Sequence, residues 1–310
     1  MKFYSHKDIL LVDHLFSVGE YALAYGNEEF KKVNRTIAYC HDFGKYTTYF
    51  QDRLFEREKT EKKEGNHAHI SAVFAAYVFL NKNLGEGYLP LLAYSAILSH
   101  HGRVKNIDDY IPSRRNPRNR IESYDKMYNI VRILNKQKEN IKKNMEYVCE
   151  DYKRFELEDL AKIFLTENQS IEETLFRLKG IKNSMSDRSD LYWIHHELYS
   201  TLISSDKISA AKLKPLQQKY IDFEELEKIK NKNFSGKPKN EINLIRDEIY
   251  EQVQKQIEKH LNRRIFTITA PTGSGKTITG LFAALKLREL KPELKKIIYV
   301  LPYTSIIDQN

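Results

Sequence analysis

Apolar residues recur three or four positions apart through most of the first 230 residues, separated by short polar breaks. In residues 8–25 this spacing predicts an amphipathic helix, with Asp8 placed to cap its start. The same spacing predicts further helices, which we place at about 33–46, 66–78, 90–101, 122–149, 156–165, 170–179 and 191–206. The pattern is typical of a mainly α-helical bundle.

The pattern changes near residue 230. Residues 231–240 are polar, contain glycine and proline and lack apolar periodicity, which is typical of a linker. After them the sequence predicts a helix at about 241–262, a β-branched strand at Ile265–Thr269, a glycine-rich turn, a helix at about 276–290 and a second strand at Ile297–Leu301. We therefore predict a helical domain at 1–230, a linker at 231–240 and an incomplete α/β segment at 241–310.

Composition restricts the partners and the cellular compartment. The 310 residues carry a formal charge of +9, which favours a polyanionic partner such as nucleic acid. Two cysteines, Cys40 and Cys149, are too few for a disulfide framework. The N-terminus lacks a signal-peptide core, and no run approaches the roughly 20 apolar residues that span a bilayer. We expect a soluble cytoplasmic protein without a membrane partner.

Metal-ligand side chains interrupt the apolar faces of the predicted helices. His41 and Asp42 are adjacent on one apolar helix, and a buried charge must be paired or bound to metal. Imidazole and carboxylate ligands suit manganese, iron, cobalt, nickel or zinc, and two ions about 3.5–4 Å apart can hold both oxygens of a phosphodiester displacement. The candidate ligands are His14, His41, Asp42, His67, His100, His101 and Asp206, with His69 as the alternative to His67.

Three other features have a functional and an ordinary interpretation. Lys45 lies one helical turn beyond His41, where an ammonium would stabilise phosphoryl charge, or it is a solvated helix end. His195–His196 lie about 16 Å along a helix from Asp206, too far to share its ion, and are interpreted as core or channel lining. The basic loop within 103–125 either contacts DNA phosphates, with Tyr110 or Tyr124 stacking on a base, or is merely solvated. Its arginines are Arg114, Arg115, Arg118 and Arg120.

The glycine-rich turn between predicted strand and helix has the pattern of a phosphate-binding loop. Its backbone amides would wrap nucleotide phosphates, Lys276 would reach the β and γ groups, and Thr277 would bind magnesium. The cofactor-binding residues we predict are Thr272, Gly273, Ser274, Gly275, Lys276 and Thr277. No acidic magnesium-binding motif or second lobe precedes Asn310, so we interpret the chain as a truncated form in which ATPase or helicase activity is not expected.

The order of these motifs resembles the HD nuclease domain of the CRISPR-associated nuclease-helicases of type I systems, over about residues 1–230. The motifs that carry the resemblance are His14, His41-Asp42-x-Gly44-Lys45, His67-x-x-x-Ser71-Ala72, His100-His101-Gly102 and Ser205-Asp206. Residues 265–277 and 299–309 are similar to motifs I and Ia of superfamily 2 helicases, which implies a RecA-like segment.

This resemblance implies roles for the candidate residues. One ion would be held by His14, His41 and Asp206, the other by His67, His100 and His101, and Asp42 would bridge them. His67 is preferred to His69 because its spacing to Ser71-Ala72 matches the family.

The resemblance also implies a function. The family cleaves single-stranded DNA with a metal-dependent nuclease, coupled to an ATP-dependent helicase and recruited by an RNA-guided surveillance complex. Two alternatives stay open: an HD phosphohydrolase acting on nucleotides or cyclic dinucleotides, and a catalytically silent nucleic-acid-binding fragment. The oligomeric state is not predicted.

Overall fold

A computed structural model of the chain describes residues 2–57, 64–82, 84, 87–111, 120–185, 188–213, 221–234, 240–294 and 296–300. The chain divides into two compact units, Met1–Pro215 and Leu216–Asn310. This division lies about 15 residues before the predicted domain boundary at 230. A helix that the sequence analysis did not predict, Phe223–Phe234, belongs to the second unit, where Phe223 packs against Phe282 with ring centroids 5.7 Å apart.

The first unit is a helical bundle that begins with a short antiparallel ribbon of β1 (Tyr4–His6) and β2 (Ile9–Leu10). Its helices are α1 (Leu11–Tyr25), α2 (Lys31–Cys40), α3 (Thr48–Leu54), α4 (Ala68–Lys82), α5 (Leu89–Ser99), α6 (Ile107–Tyr110), α7 (Arg120–Lys142), α8 (Met145–Lys153), α9 (Glu158–Thr166), α10 (Ser170–Ser184) and α11 (Asp190–Ala210). The mainly α fold predicted from the sequence is confirmed.

The core of this unit lies around α4 and α5, whose residues are buried on nearly all sides. Both helices are apolar around their whole circumference, which is typical of a helix that is covered by its neighbours. Phe74 of α4 stacks on Phe43, with centroids 3.9 Å apart, and Tyr152 of α8 packs against the edge of both rings. This aromatic cluster fixes the turn around Phe43 against α4.

Several helix ends differ from the prediction. The helix predicted at 33–46 ends at Cys40, and Phe43–Tyr46 forms a 3-10 turn. A Cβ on Gly44 would lie 2.5 Å from the His67 carbonyl oxygen, so a glycine is needed where this turn meets the start of α4. Asp8 does not cap α1, because β2 intervenes and the Asp8 carboxylate pairs with Lys212.

The second unit contains α12 (Phe223–Phe234), α13 (Glu241–Lys259) and α14 (Lys276–Leu290). Tyr250 and Phe223 pack on Phe282 of α14. The prediction of strands was wrong for 265–269 and 297–300, which form no strand within the described residues; Leu301 lies outside them. The reason is that a strand needs a hydrogen-bonding neighbour, and the described residues offer neither segment one.

None of the helices in the described part of either unit is both long and apolar enough to cross a bilayer.

Candidate metal centre

Asp42 lies at the centre of a cluster of imidazoles, and its side chain is only 1% exposed. It follows His41, the cap of α2, and directly precedes the Phe43–Tyr46 segment. Its two carboxylate oxygens face different histidines: Oδ2 lies 3.5 Å from His14 Nε2 and 3.3 Å from His41 Nε2, whereas Oδ1 lies 3.1 Å from His67 Nε2. The carboxylate therefore separates two groups of ligand-type side chains.

The first group joins α1, the end of α2 and α11. His14 is on α1, His41 caps α2 and Asp206 is on α11. Asp206 Oδ1 lies 3.1 Å from His14 Nε2 and 3.7 Å from His41 Nε2. Three segments far apart in sequence thus bring two imidazoles and a second carboxylate to the Oδ2 side of Asp42.

The second group joins the start of α4 to the end of α5. His67 directly precedes α4, and His100 and His101 follow α5. His67 Nε2 lies 2.9 Å from His101 Nε2, and His100 Nε2 lies 3.8 Å from Asp42 Oδ1. His67 and His100 are buried, whereas His101 is exposed, so this group has an open side.

In three of these histidines the other ring nitrogen, Nδ1, contacts a group that the sequence analysis did not select. His14 Nδ1 lies 3.0 Å from Ser209 Oγ, and His41 Nδ1 lies 2.6 Å from the Ala38 carbonyl oxygen. His100 Nδ1 contacts the Ile97 carbonyl oxygen in the same way. Such contacts orient ligating histidines. The only sequence signal for Ser209 is its position one helical turn after Asp206.

The atoms that face the centre of the cluster make few well-formed hydrogen bonds. His14 Nε2, His41 Nε2, His100 Nε2 and both Asp42 oxygens are buried without a well-formed hydrogen bond among the described residues. Buried polar groups are nearly always satisfied, and the ion pair of Lys45 with Asp42 Oδ2 accounts for only part of this set, so its convergence needs an explanation. Their ligand atoms fall into two sets, each within 4.8 Å, that share Asp42. This donor set fits divalent metal ions, because nitrogen and oxygen donors converge from several sides.

Burial and neighbouring charges strongly shift the pKa values of Asp42 and the histidines around it. Burial alone would raise the pKa of Asp42, but His41 and Lys45 outweigh it and hold the pKa well below its usual value. Burial alone would lower the pKa of His41, yet the neighbouring Asp42 and Asp206 raise it to about 10. Burial lowers the pKa of His67 to about 4. A neutral imidazole is the form that binds metal, and at His41 metal and proton compete for Nε2.

Lys45 lies inside the site. Its side chain is 6% exposed, and its ammonium lies 2.6 Å from Asp42 Oδ2. The ammonium also lies over the Phe50 ring, 5.2 Å from the centroid. Lys45 is therefore not at a solvated helix end, which was its alternative interpretation.

His69 is buried outside the cluster, with Nε2 2.9 Å from the Tyr94 hydroxyl. His195 lies elsewhere on α11, and its ring stacks on Tyr199. Of the basic loop, residues 112–119 lie outside the described residues, and Arg120 begins α7.

The phosphate-binding loop of the second unit has the conformation its glycines permit. Gly273 and Gly275 have φ of 81° and 82°, a region that favours glycine, and Gly275 caps α14. Lys276 Nζ donates to the Ala270 and Pro271 carbonyl oxygens at 2.8 and 2.9 Å. Arg246 donates two hydrogen bonds to the Gly273 carbonyl oxygen. The helix N-terminus behind this loop is a ready anion site.

Fold and site together define a helical bundle around a His/Asp cluster able to hold a divalent metal. The HD domain family matches residues 11–134, and the family of the type III restriction enzyme res subunit matches residues 213–310. The chain is similar to the CRISPR-associated nuclease/helicase Cas3 of Haloferax volcanii, with 26% identity over 332 aligned positions that cover 97% of this chain. It spans 34% of the length of that relative. The predicted resemblance, an HD domain followed by a helicase-type segment, is confirmed.

Proposed function

We propose that the first unit hydrolyses phosphodiester bonds of single-stranded DNA at a site for two divalent metal ions. The observation that carries the proposal is the position of Asp42, whose two oxygens face separate groups of imidazoles. A carboxylate shared in this way is the expected bridge of a dinuclear site. In our proposal His14, His41 and Asp206 hold one ion, and His67, His100 and His101 hold the other.

Ions at such a pair of sites supply Lewis-acid activation of water and neutralise charge on a phosphate ester. Manganese, iron, cobalt, nickel and zinc are the candidates, because imidazole-rich donor sets suit these metals.

In this proposal the protein residues have separate roles. Asp42 sets the spacing of the two groups, and the ring contacts of Ser209 and Ala38 hold His14 and His41 in orientation. Lys45 places its ammonium beside the bridge and would stabilise negative charge that develops on the phosphoryl oxygens. A strand would approach from the side of His101, which is the exposed member of the cluster.

The partners follow from the resemblance and from the relative that the chain matches. The Haloferax volcanii relative is named a CRISPR-associated nuclease/helicase. We propose that this chain acts in the same defence, on strands exposed by an RNA-guided surveillance complex. Residues 272–277 would bind the phosphates of ATP with magnesium in the helicase-type segment, and we propose no ATP hydrolysis by these 310 residues alone.

The test is metal titration of the purified chain with a circular single-stranded DNA, since a circle has no ends and reports internal cleavage. Each of the five metals is added to protein stripped by chelation, and linear product is measured on a denaturing gel. We expect metal-dependent linearisation that chelation abolishes. Hydrolysis of nucleotides without cleavage would instead favour the phosphohydrolase, and DNA binding without any turnover would favour the silent fragment.

A further inference from the structure

A groove on the first unit, which we call the α11 groove, is not used by the metal centre. It lies between α5, the segment 104–108, the end of α10 and the start of α11, and encloses about 450 Å³. Ligand pockets in proteins usually fall between about 300 and 1,000 Å³. Its lining includes the side chains of Tyr192, His195, Lys105 and Lys182.

The α11 groove has aromatic side chains at its surface. Tyr192 is 60% exposed, and the adjoining Trp193 is 71% exposed with its ring centroid 5.1 Å from that of Tyr192. His195 is partly buried, and its Nε2 has no hydrogen-bond partner among the described residues. Exposed aromatic groups beside an unsatisfied imidazole nitrogen indicate a surface that is covered by a ligand.

Side-chain contacts connect the groove to the residues beside the metal centre. The ring of His195 stacks on that of Tyr199, and the Tyr199 hydroxyl donates to the Gly102 carbonyl oxygen, directly after His101. At 100° per residue, Tyr192, His195 and Tyr199 all lie within about 40° of Asp206 on one face of α11. The distance from Tyr192 to Asp206 along the helix is about 21 Å, the length of about six stacked bases.

The charges of the groove suit an anionic polymer. Lys105 and Lys182 line it, and Lys105 has no ion-pair partner among the described residues. Lys182 is paired with Asp108 and the third lining cation, Arg188, with Asp190, so Lys105 is the cation that remains to neutralise a phosphate. A single strand needs this combination of cations for its backbone and aromatic faces for its bases.

We propose that the α11 groove binds bases of the single DNA strand that is cut at the metal centre, with Tyr192 as a stacking platform. The inference rests on the proposed function and adds to it a base-binding subsite. A recruiting protein that covers the same groove is the alternative, and it would contact the side chains without regard to nucleic-acid bases. The two differ in whether affinity for DNA depends on bases.

The test compares two single-stranded oligonucleotides of equal length, one with mixed bases and one abasic at every position. Both carry phosphorothioate linkages, which resist hydrolysis, so that the metal-loaded full chain can be used and binding is read by fluorescence anisotropy. The variants are Tyr192→Ala, Tyr192→Phe and the matched control Tyr128→Ala. Tyr128 is 63% exposed and is absent from the groove lining.

We expect wild type to bind the base-bearing strand more tightly than the abasic strand. Tyr192→Ala should weaken binding of the base-bearing strand about 5- to 150-fold, the range for one base stacked on an aromatic ring, and leave the abasic strand unchanged. Tyr192→Phe and Tyr128→Ala should match wild type on both strands.

Equal affinity of wild type for the two strands would overturn the groove assignment whatever the variants do. An unchanged or base-independent effect of Tyr192→Ala would overturn it as well, and would favour the recruiting protein. Failure of the circular-DNA assay would count against the metal-dependent nuclease and would leave these binding results unaffected.

Discussion

Replacing Asp42 by asparagine tests the two-metal assignment with almost no change in side-chain volume. The amide keeps one carbonyl oxygen but loses the negative charge, and it can no longer present an anionic oxygen to each group of histidines. We expect wild type to retain two ions per chain and Asp42→Asn to retain fewer. Cleavage should fall by more than about 100-fold, because residues that only orient ligands cost 10–100-fold when lost.

The same substitution should destabilise the metal-free protein. The Asp42 and Lys45 side chains are 1% and 6% exposed, and their charged atoms lie 2.6 Å apart. Removing one partner of a buried ion pair costs about 3–5 kcal/mol, because the other charge remains buried alone. For a unit of this size that corresponds to a fall of about 6–20 °C in Tm. Adding Lys45→Met to Asp42→Asn should recover part of the loss, since no unpaired ammonium is then left.

The assays are elemental analysis after dialysis, cleavage of circular single-stranded DNA, and calorimetry of the metal-free protein. The matched control is Asp13→Asn, an aspartate on α1 whose side chain is 58% exposed and which should resemble wild type in all three. Two ions and a wild-type rate in Asp42→Asn would refute the bridging role. An unchanged Tm would refute the account of the buried ion pair.

Four further predictions concern the ligand choice at the start of α4, the packing of Gly44, the basic loop and the phosphate-binding loop. His67→Ala should lose one of two ions whereas His69→Ala should keep both, because His67 faces Asp42 while the His69 ring is hydrogen-bonded to the Tyr94 hydroxyl. Measuring the metal content of the two variants tests this. Gly44→Ala should cost about 1–3 kcal/mol by overpacking, and its Tm should fall accordingly, since a Cβ would lie 2.5 Å from the His67 carbonyl oxygen. Replacing all four arginines of the basic loop with glutamine should reduce the slope of the log DNA-binding constant against the log salt concentration by about 0.7 per lost phosphate contact. An unchanged slope would mean that the loop is solvated and does not contact DNA phosphates. Lys276→Ala should abolish nucleotide binding measured by calorimetry while cleavage of circular DNA stays at the wild-type rate.

The sequence by itself determined most of the helices and their order. Apolar periodicity placed most of the helices, and α14 occupies residues 276–290 as predicted. The order of ligand motifs was enough to predict the resemblance that the HD domain and helicase-type matches confirm. These features are local in the chain, so spacing and residue type carry them. The metal and catalytic roles of the individual residues stay predictions.

The tertiary structure decided which of these residues meet. Sequence left His67 and His69 as alternatives, and only the packing of α4 on α5 turns His67 towards Asp42 and His69 towards Tyr94. The early end of α2 likewise depends on Gly44 meeting the start of α4, a contact that helical periodicity does not encode. Asp206 reaches His14 from almost 200 residues away in the chain. Such positions depend on the mutual fit of several helices, and that fit exists only once the core has packed.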